Sequence, residues 1–292
     1  MSERRVPRRA GRGRGERGGR RLLASALAVV LLGAVGGCSG DDDSPTPRKS
    51  PGALATQHPA PTPPAAPEVG ACYDLSFKAA VAPTTDAEPL PCASAHTSET
   101  VAVGTIAAVT DGHLLAVDSR HVQAQVASAC PQQLIRYLGG TPKSLRLSMI
   151  RPTWYTPTVA QSDDGADWYR CDAVVLAGAE ELASVRGSLK GALKSGKPKP
   201  QHAMCGTAAP DTKDFRRVPC SAKHRWRAID VVTFPDGRYP GVKKVRSAGR
   251  QQCEDAGADA AEDPLDFQWG YEWPTAAQWD TGQTYGRCWA PD

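Results

Sequence analysis

Cysteine is the residue whose spacing predicts the most chemistry in this chain of 292 residues. Cys38 stands apart, and the other eight fall into two groups of four, Cys72, Cys92, Cys130 and Cys171, then Cys205, Cys220, Cys253 and Cys288. No two lie as close as the Cys-x2-4-Cys pairs of zinc sites, so the eight predict disulfides. The two groups have similar spacing, so we expect the bonds to form within each group and in the same pattern, which leaves three possible patterns. We favour the sequential pattern, in which the first Cys of a group bonds to the second and the third to the fourth.

Cys38 predicts a different chemistry, which is lipidation. It ends the run Val35-Gly36-Gly37-Cys38, which has the form of a bacterial lipobox, after the apolar segment 22–36. Fifteen apolar residues are too few for a comfortable membrane span and suit an export signal. We therefore expect residues 1–37 to be a lipoprotein signal peptide and Cys38 to carry acyl chains. An ordinary signal peptide or an uncleaved anchor with a coincidental cysteine is the alternative.

The segment that follows Cys38 is rich in proline. Residues 39–68 contain eight Pro and few large apolar side chains, a composition that cannot bury enough surface to fold. The sequence thus predicts that 38–68 is a lipid-anchored, disordered tether. It would hold the rest of the chain on the extracytoplasmic face of the cell membrane.

Charge and hydropathy exclude two classes of function. Residues 1–37 hold nine Arg and two Glu, which leaves 26 basic and 29 acidic residues from Cys38 onward. A nucleic-acid-binding domain would be basic, so we expect no nucleic-acid partner. One apolar run also excludes a transporter with many spans.

Local repetition indicates two related modules. Residues 157–171 align without a gap on 274–288 with eight of fifteen positions identical, and Pro91-Cys92 matches Pro219-Cys220, each followed by a His four residues after the Cys. We assign module 1 to 69–176, a linker to 177–200 and module 2 to 201–292.

Hydrophobic spacing sets the elements that must position these residues. It predicts a helix within 122–138 and another within 242–256, with strands at 96–109, 145–155, 168–176, 226–234, 267–273 and 285–289. Each module is therefore expected to be a small antiparallel sheet with one helix, stapled by disulfides, an α+β fold. Leucine and valine spacing also suggests a short helix within 180–193 of the linker.

Aromatic and basic residues are concentrated in module 2. Phe267, Trp269, Tyr271 and Trp273 alternate, so a strand would place them on one face. Such a face is either a core surface over the helix or a surface that stacks on sugar rings or a protein partner, and both interpretations stay open.

Trp226 lies between Arg225 and Arg227, close to Phe215, Arg216, Arg217 and Lys223. This cluster is either a solvated face or a site for anionic wall polymer or lipid head groups. We take Arg225, Trp226, Arg227, Trp269, Tyr271 and Trp273 as the candidate binding residues.

Catalytic and metal-binding patterns are weak. His96 is followed at +3 by Glu99, but the equivalent neighbour of His224 is Arg227, and exchanging an acid for a base would abolish their proton chemistry. The acidic run Asp163, Asp164 and Asp167 lacks the spacing of a calcium loop. We therefore expect no metal and no cofactor.

Several short motifs resemble the septum-formation domain family of exported actinobacterial lipoproteins. These are Gly70-Ala71-Cys72-Tyr73, Pro91-Cys92, His96-Thr97-Ser98-Glu99 and Trp168-Tyr169-Arg170-Cys171. The resemblance implies an extracytoplasmic, membrane-attached protein linked to the cell envelope or division, with no established enzymatic activity. We expect a non-enzymatic binding or scaffolding role, with a wall glycan or an envelope protein as partner. The alternative is a wall hydrolase or transferase that uses Glu99 or an Asp.

Overall fold

Two antiparallel sheets, each covered by a helix, form the part of the chain that the computed structural model describes, residues 62–292. These residues belong to one compact unit. The elements of the first half are β1 (Cys72–Tyr73), α1 (Phe77–Ala80), β2 (Ser98–Thr105), β3 (Val109–Thr110), β4 (His113–Leu114), α2 (Arg120–Leu138), α3 (Pro142–Arg146), β5 (Ile150–Tyr155), α4 (Val159–Asp163) and β6 (Trp168–Val175).

The second half has a five-stranded sheet in the order β10-β11-β9-β7-β8, against β1-β2-β6-β5 in the first. Its elements are β7 (Met204–Gly206), β8 (Arg217–Pro219), β9 (Trp226–Thr233), α5 (Val242–Ala248), α6 (Arg250–Ala260), β10 (Gly270–Glu272), α7 (Ala276–Asp280) and β11 (Tyr285–Pro291). A mixed α and β fold with antiparallel sheets is therefore confirmed.

Helix α2 forms because one face of its sequence is apolar at every fourth position. Val122, Val126, Cys130, Leu134 and Leu138 are all buried and turned toward β2, β5 and β6, while the Ser119 side chain caps the first turn. The helix continues through Pro131, which lies on the exposed side.

A predicted strand and a predicted helix begin or end differently from the sequence prediction. The strand expected at 145–155 begins only at Ile150, because Thr141 and Ser144 form a capping box that starts helix α3 over the preceding residues. The helix expected within 242–256 is divided at Gly249. Glycine is required there, since a Cβ on Gly249 would lie 2.3 Å from Cζ of Tyr271.

The four disulfides join Cys72 to Cys92, Cys130 to Cys171, Cys205 to Cys220 and Cys253 to Cys288. This is the sequential pairing that the spacing favours. The second and fourth bonds tie α2 to β6 and α6 to β11, each of which has a strand on either side. Each bond would constrain the unfolded chain by about 3–4 kcal/mol on the loop-entropy model.

One hydrophobic core continues from the first sheet to the second. Leu138, Met149 and Val175 of the first half share it with Ala228 and the fully buried Trp289 of the second. Part of the apolar surface of each sheet is therefore buried against the other half, although the repetition in the sequence suggests separate modules. A smaller cluster around Cys253 and Tyr271 belongs to the second half alone.

The segment 177–200 is part of this core and contains no helix, so the short helix predicted within 180–193 is wrong. Gly187 and Gly191 adopt φ of +75° and +73°, a left-handed conformation that interrupts a helix. The apolar spacing instead places Leu189 and Leu193 in the core from a turn-rich segment.

Within residues 62–292 no helix is both long enough and apolar enough to span a bilayer. The predicted signal peptide, Cys38 and almost all of the predicted tether lie outside the described residues.

Candidate functional site

The aromatic run of the second half divides between the core and a cavity. Only 270–272 of the predicted strand 267–273 is a strand. Tyr271 is buried against the Cys253–Cys288 disulfide, and its hydroxyl donates to the Val245 carbonyl at 3.0 Å. Burial raises the pKa of this phenol well above its usual value. Tyr271 is thus a core residue, and little of its side chain is left for a ligand.

Trp269 and Trp273 have a different environment. Both are half-buried, and they line an open cavity of about 570 Å³. Helix α6 supports Trp269, whose Cβ lies 2.6 Å from the position that a Cβ on Gly257 would take. Gly257 therefore lets the indole approach the helix closely and fixes one wall of the cavity.

Basic residues from α5 and α6 line the same cavity. Lys243, Arg246 and Arg250 are exposed and line the cavity, with Asp211 as the one acidic residue in its lining. The guanidinium carbon of Arg246 lies 5.0 Å from the Trp273 ring centroid, a cation–π contact. Within residues 62–292 none of the three cations forms an ion pair. The cavity therefore combines aromatic faces with unneutralised positive charge.

The binding residues predicted from the sequence do not include these three cations, because the cations belong to helix positions outside the aromatic run. The signal was available, since Lys243, Arg246 and Arg250 recur at spacings of three and four on one face of the predicted helix.

The structure separates Trp226, Arg225 and Arg227 from this cavity. Trp226 is half-buried and packs against the shared core. Arg227 pairs with Asp292 at 2.6 Å, and this hydrogen bond is the main reason that the pKa of Asp292 is lowered. Arg225 is exposed and has no ion-pair partner among the residues described.

The two histidines bond to nearby backbone. His96 Nδ1 lies 3.0 Å from the Ser94 carbonyl, and His224 Nδ1 lies 2.7 Å from that of Ala222. Because a carbonyl only accepts, Nδ1 carries the proton in both rings. His224 Nε2 also contacts Asp292 at 2.9 Å.

Cys205, His224 and Asp292 come together in space, but they do not make a metal centre. The sulfur of Cys205 belongs to a disulfide and is not a thiolate. Two ligands then remain, fewer than a structural or catalytic metal site provides.

Glu99 is fully buried, and its acceptor positions are occupied. Its carboxylate accepts from the Tyr137 hydroxyl at 2.7 Å, the Ser188 hydroxyl at 2.5 Å and the Leu189 amide at 2.6 Å. Burial, with a smaller effect from Glu99, raises the pKa of Tyr137 to about 12. Glu99 thus anchors segment 177–200 to the first sheet.

A second buried carboxylate, Asp172, was missed by the sequence analysis. It accepts from Ser98, Thr100 and Arg170 at 2.7–2.9 Å, and the guanidinium of Arg170 lies within 4.5 Å of two tyrosine ring centroids. Burial raises the pKa of Asp172, against the opposing effect of these donors. By contrast, Asp163, Asp164 and Asp167 are exposed around helix α4.

No curated protein and no solved structure matches the chain. A family model described as septum formation matches residues 41–161 and, in a second match, 69–288. The second match alone spans well over half of the chain. The chain therefore belongs to the septum-formation family, and this membership suggests a role linked to septum formation.

Proposed function

We propose that this protein is a lipid-anchored, non-enzymatic binding protein of the cell envelope, and that the cavity between Trp269 and Trp273 contacts anionic wall glycan during septum formation. One observation carries the proposal, namely that two half-buried indoles and three exposed cations without ion-pair partners among residues 62–292 line the same open cavity. Sugar rings present apolar C–H faces to aromatic rings, while guanidinium and ammonium groups attract carboxylate or phosphate substituents.

The rest of the chain supports a role of this kind. Cys38 and the Pro-rich tether would hold the folded part away from the membrane, within reach of the wall. Glu99, one of the residues that the hydrolase or transferase alternative would use, already accepts three hydrogen bonds and has no exposed surface. No observation favours the enzymatic alternative.

We further propose that the two halves arose by duplication. In each half a helix is bonded through a disulfide to a strand that has neighbours on both sides. Matching capping boxes start α4 at Thr158 and α7 at Thr275. Only the second half carries the aromatic and basic cavity, so duplication would have freed one copy to acquire a ligand.

Sedimentation with insoluble peptidoglycan tests the binding proposal. The purified full-length protein would be mixed with sacculi that retain their anionic polymers and with sacculi stripped of them. We expect Trp269→Ala and Trp273→Ala to weaken binding by about tenfold or more, as removal of an aromatic anchor does. Raised salt should weaken binding of the wild type, because the cations are exposed.

Trp154→Ala is the matched control, since Trp154 is also half-buried but lines a different cavity in the first half. It should lose stability to a comparable extent and keep its binding. Equal binding by the wild type and both cavity variants would overturn the proposal, and so would equal loss of binding in Trp154→Ala.

A further inference from the structure

A second cavity, of about 410 Å³, lies where the two sheets meet. Arg151 reaches it from β5 of the first sheet, and Arg217, Glu272 and Arg287 reach it from β8, β10 and β11 of the second. Arg217 and Glu272 form an ion pair. Because β8 and β10 are the two edges of their sheet, this pair means that the sheet curls around the cavity.

The guanidinium groups that line this cavity retain unused donors. Arg287 is 2% exposed, with Nε donating to the Arg146 carbonyl at 2.8 Å and Nη2 to the Tyr285 hydroxyl at 3.1 Å. Its Nη1 is buried and has no hydrogen-bond partner; Oε2 of Glu272, which also has none, lies 3.6 Å away, within ion-pair distance but beyond a hydrogen bond. The Nε of Arg217 is also buried without a partner. Unsatisfied buried donors of charged groups are costly.

The cavity also has an excess of positive charge. One carboxylate, Glu272, faces Arg151, Arg217 and Arg287. Burial, and then the charge of Arg287, lowers the pKa of both Arg151 and Arg217 to about 10. Arg151 donates from Nη1 only to backbone carbonyls. The arginines therefore repel one another across a space that contains too little negative charge.

We propose that this cavity binds a phosphate group. A phosphate carries the negative charge that would neutralise the excess of three guanidinium groups over one carboxylate. Its oxygens also match the forked donors of arginine. Phe215, Met149 and Leu176 add an apolar wall, and the exposed Arg216 also belongs to the lining. The ligand class is thus a phosphate ester with an attached apolar or neutral group.

This inference goes beyond the glycan site, because the two cavities share only Pro210 among their lining residues. Either proposal can fail without the other. The phosphate ester has two natural sources, a soluble ester and a phospholipid head group, which the experiment separates.

Thermal unfolding of the purified full-length protein provides the first measurement. It would be recorded at constant ionic strength with inorganic phosphate, glycerol 3-phosphate or acetate. A dissociation constant near 1 mM would make 10 mM phosphate raise Tm by about 3–5 °C. We expect such a rise with both phosphate compounds and less than half of it with acetate.

Arg151→Gln is the main variant. Loss of the Arg151 charge removes repulsion between arginines and breaks no ion pair, so the variant should fold. The affinity of the variant for phosphate should fall by about tenfold. If the variant does not fold, Arg216→Gln at the exposed part of the lining gives the same readout, with a loss of about threefold. Arg225→Gln changes the same charge outside the cavity and should keep the full Tm rise.

Flotation with phosphatidylglycerol vesicles, compared with phosphatidylcholine vesicles, identifies the source of the ligand. If the protein binds phosphatidylglycerol vesicles and Arg151→Gln weakens that binding, the ligand is a phospholipid head group. If the protein responds to glycerol 3-phosphate but binds no vesicle, the ligand is a soluble ester. Both outcomes support the site. The proposal is overturned if no phosphate compound or vesicle binds. It is also overturned if acetate acts equally, or if the cavity variant responds as the wild type does.

Discussion

The shared core predicts that loss of a shared-core side chain of the second half will be felt equally in the first. Trp289 is the largest fully buried side chain, and it lies in the core that contains Leu138 and Met149 of the other half. Its ring also meets that of Phe215 edge to face, with centroids 5.1 Å apart. Replacing Trp289 by Ala removes both the core packing and this aromatic contact.

The expected loss follows from those contacts. Truncating a buried Trp to Ala costs about 3–5 kcal/mol, and the aromatic pair places this case in the upper part of that range. Domains are commonly stable by about 5–15 kcal/mol, and four disulfides constrain the unfolded chain, so the variant should still be largely folded.

Hydrogen exchange of backbone amides is the decisive assay, because it reports on each sheet separately. With a shared core, the most protected amides of β6 and of β9 should lose the same free energy of opening. Trp279→Ala is the matched control. Trp279 is also a buried Trp of the second half, but it packs against Phe234 and Tyr239 rather than in the shared core.

The control should weaken β9 more than β6. If Trp289→Ala lowers protection in β9 and leaves β6 unchanged, the halves unfold independently and the argument from a shared core is refuted.

Three further predictions concern single residues. Cys38→Ala should release the protein from membranes or leave an unprocessed precursor, as fractionation and acyl labelling would show; normal retention, processing and labelling would contradict lipidation. Glu99→Ala should cost about 2–3 kcal/mol in denaturant unfolding, because the buried Leu189 amide and the hydroxyls of Tyr137 and Ser188 lose their acceptor, and unchanged stability would rule out its anchoring role. Arg227→Gln should return the pKa of Asp292, which Arg227 lowers, toward its ordinary value in a carboxyl NMR titration. Because the pKa of Asp292 is depressed in the folded state, the ion pair stabilises the folded protein at pH values above the unfolded pKa of about 3.9. This stabilisation is lost as the pH falls through the folded pKa. A pKa of Asp292 that Arg227→Gln leaves unchanged would refute the ion pair.

Local features of this fold could be predicted from the sequence because they depend on neighbours along the chain. The four-residue spacing of apolar side chains from Val122 to Leu138 is enough to define α2. The cysteine rhythm reduced the pairings to three, and the observed one is the shortest in sequence. In both cases the residues that determine the structure lie within one helix or within the loop that one disulfide closes.

Features that depend on which faces meet could not be predicted in this way. The spacing of Leu182, Val185, Leu189 and Leu193 reports burial, and a helix is only one way to bury such residues. Here Gly187 and Gly191 turn the chain, and the leucines enter the core from a turn-rich segment.

The arginine cavity illustrates the same limit. Arg151, Arg217 and Arg287 are separated by 66 and 70 residues along the chain, so no local pattern joins them. One signal was available in the sequence, namely an Arg within a predicted strand that is otherwise apolar. Arg287 is such a residue, because it directly precedes Cys288 in the predicted strand. Such a residue must find an acceptor or a ligand on folding, but the sequence does not say which.

The distribution of charge connects the two cavities. From Cys38 onward the chain carries more acidic than basic residues, yet the cavity lined by Trp269 and Trp273 has three cations and one acid in its lining, and the cavity lined by Arg151 and Arg287 has four cations and one acid. Positive charge is therefore concentrated on either side of Pro210 in a molecule that is otherwise slightly negative. Because exposed charges act over about a Debye length of 8–10 Å, the exposed cations of each cavity would add to the attraction of an anionic ligand toward the other. Raised salt should therefore slow the approach of anionic ligands to both cavities, although the two cavities bind different groups.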